Sequence, residues 1–317
     1  MSPNMPSPAA LWPVWRQPAE QALRAMLGEL AGLAITGGEA SVRLSPGAIE
    51  GGRWLAGFSP AGVSAERLMG LPERLAMPAE GAERFRSQWR HARQIYLAVE
   101  QTDAQVIAKV YFEHALPAPD LRTRAPNQRQ VALQIESCKW RVDAPAPAAR
   151  HTEYWRMSGL DGAATVALLR ETRDLAPAAQ EVHAAVALVL ENALRAAPGW
   201  QGHRLLVVRE PDTGRRGVSV RFYGSELRAS AVLSPLSNLF AAWGLSPGTL
   251  SGPLSVRATQ ELGWLHAGLD ARARPYLTVY GALNRADTRA VLMRAVVTRS
   301  ATRAALQEYR KCTKKIA

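Results

Sequence analysis

Cysteine is almost absent from this sequence: Cys138 and Cys312 are the only two in 317 residues. They stand far apart, in no CxxC pair and beside no clustered histidines, which excludes a disulfide-stapled scaffold and a structural zinc site. Both are expected to be reduced, Cys138 as an inert half-buried thiol. Long apolar runs are missing too. No stretch reaches the roughly 18 residues that a membrane-crossing helix needs, so no membrane partner is expected. Met1 to Trp12 is proline-rich and lacks both the positive charge and the apolar stretch of a signal peptide; the expected location is the cytoplasm. There is no Walker A loop and no GxGxxG opening a helix. Nor is there a DDxxD-like carboxylate pair to hold a Mg²⁺–diphosphate cluster, which excludes an all-helical terpenoid synthase. No metal site is expected.

Acidic residues are outnumbered, 27 against 39 basic ones, for a net charge of +12, and lysine is scarce, so nearly all the basic side chains are arginine. Arginine grips phosphate oxygens in a fixed fork, which points to a polyanionic partner such as nucleic acid or a diphosphate. A genome that favours arginine codons accounts for the same balance. Nucleic-acid binding would need the arginines outside. The strand pattern places several of them elsewhere, so nucleic acid is not expected as a partner.

Two alternating strands followed by helical sequence can be read five times along the chain. The pairs are Glu39–Ser45 with Arg53–Ser59, Gln94–Gln101 with Val106–Glu113, Val131–Val142 with His151–Met157, Arg204–Glu210 with Gly217–Tyr223, and Leu262–Leu269 with Tyr276–Leu283. Turn residues join them: Pro46 to Gly52, Thr102 to Ala104, a Pro-Ala linker at Asp143 to Ala149, and Pro211 to Gly214. Between pairs the period becomes helical. Ala22, Leu23, Met26, Leu27, Leu30 and Leu33 make one apolar stripe; Val182, Val186, Val189, Leu190 and Leu194 make another, after Pro177 divides 161 to 197 into two helices.

The expected fold is therefore α+β: αββα units building a ten-stranded antiparallel barrel, surrounded by helices, with a solvent-accessible lumen. Residues 1–18 are expected to be a flexible N-terminus, 19–311 the single barrel domain, and 312–317 a basic tail, with Arg310, Lys311, Lys314 and Lys315 around its start. Two α+β domains meeting near 160 to 200 are the alternative architecture.

Side chains at i and i+2 share a face of a strand. Lys109, Tyr111 and Glu113 lie opposite Val110 and Phe112; Ser219, Arg221 and Tyr223 lie opposite Val218, Val220 and Phe222. Tyr276, Thr278 and Tyr280 share a face, as do Thr152, Tyr154 and Arg156, and Glu39, Ser41 and Arg43. In a barrel with helices outside, these polar faces line the lumen, where cations neutralise a diphosphate and tyrosines supply hydroxyls and ring faces. In an open sheet they would simply meet water.

These residues resemble the ABBA-type (αββα) prenyltransferases, a family that includes fungal indole prenyltransferases and bacterial enzymes acting on cyanobactin peptides. Ala108-Lys-Val-Tyr-Phe-Glu113 is similar to the family's Lys-x-Tyr strand, and Val220-Arg-Phe-Tyr223 to its later counterpart, with Ser219 where a further cation often stands. Glu39-Ala-Ser-Val-Arg43 with Arg53-Trp-Leu-Ala56 resembles the first hairpin, and Pro275-Tyr-Leu-Thr-Val-Tyr280 the last tyrosine-bearing strand.

The resemblance, spanning roughly 20 to 310, implies an enzyme that moves an allylic prenyl group from a prenyl diphosphate to an electron-rich small-molecule or peptide acceptor. It implies Arg43, Arg53, Lys109 and Arg221 on the diphosphate, Tyr111, Tyr223 and Tyr280 around the allylic cation, and Glu39 orienting the acceptor or taking its proton. Glu100, a reserve base, joins Glu136, Tyr154, Arg156, Trp264 and His266 as candidate acceptor-pocket residues, and Trp140 could stack there or pack in the core. No cofactor is required, though Mg²⁺ could accompany the diphosphate. The alternative is a non-catalytic barrel holding an anionic or isoprenoid ligand.

Overall fold

A computed structural model describes residues 17–30, 32–102, 105–116, 130–144, 148–171, 177–246, 260–283 and Thr288. Residues 1–16 of the expected N-terminal segment 1–18, the segment 312–317, Cys312, the basic residues from Arg310, the turn residues Asp103 and Ala104 and the side chain of Leu23 lie outside the described residues, while Gln17 and Pro18 already belong to the first helix.

Ten antiparallel strands close into one barrel in the order β1-β10-β9-β8-β7-β6-β5-β4-β3-β2. They are β1 (Ile35–Ser45), β2 (Ala48–Phe58), β3 (Ala92–Gln101), β4 (Val106–His114), β5 (Gln130–Arg141), β6 (Arg150–Ser158), β7 (Arg204–Glu210), β8 (Arg215–Arg221), β9 (Leu262–Leu269) and β10 (Pro275–Leu283). The seam is β1 on β10, running from Gly38 opposite Leu283 to Leu44 opposite Leu277. The third hairpin joins fully, with β5 paired to β4 and β6 to β7. Two separate domains are ruled out by this closure.

Several strands start or end a few residues away from the sequence reading, and two of these differences bear on the site. The first turn is only Pro46–Gly47, because Gly47 (φ 70°) takes the left-handed conformation of a tight turn and Gly52 (φ 74°) carries β2 through a register shift opposite Ser41–Arg43. Glycine density there mimics a long loop. In the fourth hairpin the second strand begins at Arg215 and ends at Arg221, so Tyr223 sits in the turn beyond it.

Helices cover the outer wall. On one side α1 (Gln17–Leu30), α2 (Ala65–Met69), α3 (Leu71–Arg74) and α4 (Ala79–Gln88) enclose Phe58, Ile95, Leu97, Val110, Phe112 and Trp140, all buried. Met26, Leu27 and Leu30 are the buried part of the expected α1 stripe. Phe85 of α4 meets Phe112 edge-on at 5.5 Å between centroids. On the other side lie α5 (Gly162–Arg170), capped by Asp161, α6 (Pro177–Ala196) and α7 (Ser237–Ala242). There Val182, Val186 and Leu190 of α6 pack against Val220, Leu265 and Leu277. Because the outer wall carries this apolar packing, the alternate residues of every strand must face inward.

The short hairpin turns gather at one end of the barrel. At the opposite end β2 is joined to β3, β6 to β7 and β8 to β9 through helices. No helix among the described residues is long and apolar enough to cross a membrane.

Candidate functional site

Toward the hairpin end, the inner wall brings together Arg43 (β1), Arg53 (β2), Lys109 (β4), Lys139 (β5) and Arg215 (β8) with the carboxylates Glu100 (β3) and Glu210 (β7). Glu100 accepts from both Arg53 and Lys109, and Glu210 from Lys139. Arg215 Nη1 lies 3.3 Å from Glu210 Oε1, and Thr213 donates to its other oxygen at 2.9 Å. Arg43 has its carboxylate partner, Glu50, at 3.8 Å. With every lysine protonated, Glu100 and Glu210 leave a cationic excess at this end.

Burial sets the protonation of these groups. It opposes charge on Glu100, yet Arg53 and Lys109 hold that carboxyl far below the usual range. Burial pulls Lys109 down to about 7, offset only in part by Glu100. Glu210 is held at about 2, burial again opposing and Lys139 and Arg215 prevailing. Arg215 keeps its proton more firmly than usual, because Tyr276 and Glu210 outweigh its burial.

Aromatic rings line the same space. Tyr111 and Tyr154 stand 6.1 Å apart between centroids, Tyr154 and His266 6.4 Å, and His266 and Tyr276 5.4 Å, stacked. The guanidinium carbons of Arg43 and Arg215 lie 4.1 and 4.7 Å from the Tyr276 ring centroid. His266 Nε2 is 2.6 Å from the Tyr276 hydroxyl. Burial, then the surrounding Arg215, Arg53, Arg43 and Lys109, keep this imidazole neutral. The cavity among Arg53, Lys109, Tyr111, Lys139, Tyr154 and Tyr280 has a free volume of about 30 Å³, room for a water or two.

The helix-connection end differs. Glu39 accepts from the Tyr223 hydroxyl, and burial raises its carboxyl to about 7 against the pull of that bond and of Arg221. Tyr96 donates to Glu113 at 2.7 Å, with Gln134 at 3.3 Å on the other oxygen. Two glycines make room for the rings: a Cβ at Gly57 would meet Tyr96 at 2.5 Å, and one at Gly263 would meet Tyr223 at 2.9 Å. Trp264 stands half-buried on the same inner face, opposite Arg221 and Tyr280.

The structure thus gathers Arg43, Arg53, Lys109, Tyr111 and Tyr280 as expected and moves several others. Arg221 sits at the opposite end from Lys109, bonding the Gly202 carbonyl at 2.8 Å. Tyr223 turns to Glu39, and Tyr154 takes a place beside Tyr111 in the ring lining. Glu100 lies among the cations rather than near an acceptor, and His266 lies beside Tyr276 in the same cluster. Glu136 faces outward with Cys138 and Trp140: Arg84 of α4 holds it at 2.7 Å, and His114 and His151 at 3.1 and 3.2 Å. Trp140 is core, and the Cys138 thiol is pushed up to about 11 by burial.

Lys139, Glu210, Arg215 and Tyr96 were not among the expected site residues. Strand alternation carried the signal for two of them. Ser137-Cys138-Lys139 places Lys139 on the face away from Glu136, and extending the Ser219–Arg221 series back by four residues reaches Arg215.

The fold and inner wall define a class: a ten-stranded αββα barrel with a cationic, tyrosine-lined lumen. The chain is similar to the crystal structure of AnaPT from Neosartorya fischeri (TM-score 0.45, 16% identity, covering 77% of this chain and 78% of that chain). It is also similar to NotF in complex with brevianamide F and DMSPP (TM-score 0.46, 13% identity, 77% and 79% covered) and to a 6-dimethylallyl tryptophan synthase (TM-score 0.46, 12% identity, 83% and 95% covered). No family model and no curated protein matches the chain.

Proposed function

We propose that the chain is a prenyltransferase working in the cytoplasm, which moves an allylic prenyl group from a prenyl diphosphate to an electron-rich acceptor. The observation that carries this reading is the convergence of Arg43, Arg53, Lys109, Lys139 and Arg215 beside a lining of tyrosines, outnumbering the carboxylates Glu50, Glu100 and Glu210 set against them. A diphosphate monoester carries up to three negative charges, close to that cationic excess. The charge match supports binding without a required metal, Mg²⁺ remaining an optional companion of the substrate.

The cavity is too small to receive a diphosphate as it stands, so entry swings Lys109, Lys139 and Arg215 from their carboxylates onto the phosphate oxygens. Ionisation then breaks the bond between the allylic carbon and the diphosphate oxygen, the electron pair leaving with the oxygen, where these cations stabilise it. The faces of Tyr111, Tyr154 and Tyr280 shield the allylic cation from water. The acceptor's electron pair forms the new bond, and Glu39 takes the proton released.

Incubation with dimethylallyl and geranyl diphosphates and a panel of aromatic acceptors, read by mass spectrometry, tests the reading. Prenylated product that disappears in Lys109→Ala and Arg215→Ala supports it. The small cavity and internally paired cations favour a second reading, a non-catalytic barrel for an anionic ligand, and diphosphate binding without transfer would select that one.

A further inference from the structure

We propose that Glu210 is a built-in competitor for the diphosphate: in the empty protein its carboxylate fills the place that a diphosphate oxygen takes, so that only a more highly charged anion enters. The proposal rests on the prenyl-transfer reading and deepens it, by naming a residue that sets which anions the site accepts.

Three strands aim donors at one oxygen. Glu210 Oε1 accepts from Lys139 of β5 and lies 3.3 Å from Nη1 of Arg215 on β8 and 3.5 Å from the Thr152 hydroxyl on β6. An ammonium, a guanidinium and a hydroxyl converging on one anionic oxygen are the surroundings that suit a phosphate oxygen. With the carboxylate in place, those buried donors are satisfied while no ligand is bound. Thr213 holds it there: its hydroxyl donates to the other oxygen at 2.9 Å and accepts the Arg215 backbone N–H at 3.3 Å.

The contrast with Glu100 singles out Glu210. Among the described residues Glu210 is the one carboxylate lining the cavity, where it meets Arg53, Lys109, Lys139 and Arg215. Glu100 is clasped by Arg53 and Lys109 in the middle of the sheet, with β3 pairing it to Arg53 of β2 on one side and to Ile107 of β4 on the other. Glu210 instead ends β7. It pairs with Arg215 of β8, and the pairing of β7 with β6 stops one residue earlier, at Arg209. Its side chain can therefore swing toward the hairpin turn without breaking the barrel wall.

Charge decides what displaces it. One carboxylate faces Lys139 and Arg215, and an entering anion must break both ion pairs. It gains only if it returns more negative charge to the two cations than the single charge it expels. Diphosphate does so by a wider margin than phosphate. Protonation does not clear the site either, because Lys139 and Arg215 hold the carboxyl at about 2 against its burial. A residue that merely positioned the two cations would act with the opposite sign: its removal would loosen them and weaken diphosphate binding.

Titration calorimetry at pH 6, below the value to which burial brings Lys109, reads that sign. Inorganic diphosphate and, separately, inorganic phosphate are titrated into the unaltered chain and into Glu210→Gln, whose amide keeps the shape and loses the charge. Diphosphate is expected to bind the variant about tenfold or more tightly than the unaltered chain. Equal or weaker diphosphate affinity in the variant overturns the proposal, and so does phosphate that binds the unaltered chain as tightly as diphosphate. Should a thermal melt show that Glu210→Gln does not fold, Thr213→Val decides. It leaves every charge in place and removes only the tether, so diphosphate is expected to bind about two- to fivefold more tightly; unchanged or weaker binding overturns the proposal. Absence of prenyl transfer by the unaltered chain, with diphosphate still tightened in the variant, would instead sink the prenyl-transfer reading and leave the competitor standing.

Discussion

Burial brings Glu39 and Lys109 to the same neutral range from opposite directions, Glu39 up and Lys109 down, each to about 7. For Glu39 the folded value lies above the unfolded one, so its contribution to stability is present in acid and lost as pH rises through about 7. Glu39→Gln is therefore expected to abolish that loss, melting above the unaltered chain at pH 8 but not at pH 5, while transfer falls about 100-fold or more. A melt that is flat between those pH values in both proteins would contradict the burial argument. For Lys109 the sign is reversed, and a bound diphosphate is expected to restore its proton. Calorimetry in two buffers of different ionisation enthalpy should show close to one proton taken up on binding at pH 8 and almost none at pH 6. At this scale the sequence exposed Glu39, Arg53, Lys109 and Tyr111, because each alternates with an apolar neighbour. It misassigned Glu136, although Glu136 shares its parity with Cys138 and Trp140 and so belongs to the helix-covered face.

At the scale of elements, strands were readable wherever alternation was clean: β7 and β9 run over the residues that the pattern marks. Glycine blurred the first hairpin, since Gly47, Gly51 and Gly52 spell a loop where only two residues turn. Glycine also shapes the site from outside it. Gly263 of β9 leaves room for the Tyr223 ring, with the added Cβ of Gly263→Ala only 2.9 Å from it. That substitution should displace the ring, weaken its bond to Glu39, and shift the acid limb of the kcat/KM profile upward in pH. Packing of α4 on β4 is expected to matter to stability alone. Phe112→Ala removes a fully buried ring from the edge-on contact with Phe85 and should cost about 3–5 kcal/mol in denaturant unfolding.

For the whole molecule, the five hairpins were legible but the arrangement across the lumen was not. Lys109-x-Tyr111 and Arg221-x-Tyr223 look alike in sequence. Yet Lys109 is three residues into β4 while Arg221 closes β8 six residues after Arg215, so matching motifs lie at opposite ends of the barrel. Only strand ends, register and the β1–β10 seam decide such placement, and local patterns carry none of them. The consequence is a polarised lumen, with the cation cluster toward the hairpin turns and Glu39 toward the helices. Titration calorimetry of inorganic diphosphate against the full chain and Lys139→Met tests that polarity most directly. Neither notable motif contains Lys139, which the β4–β5 register sets directly opposite Lys109. The account predicts saturable one-to-one binding that weakens about 10- to 100-fold in the variant; absence of binding, or equal affinity in the two proteins, would contradict it.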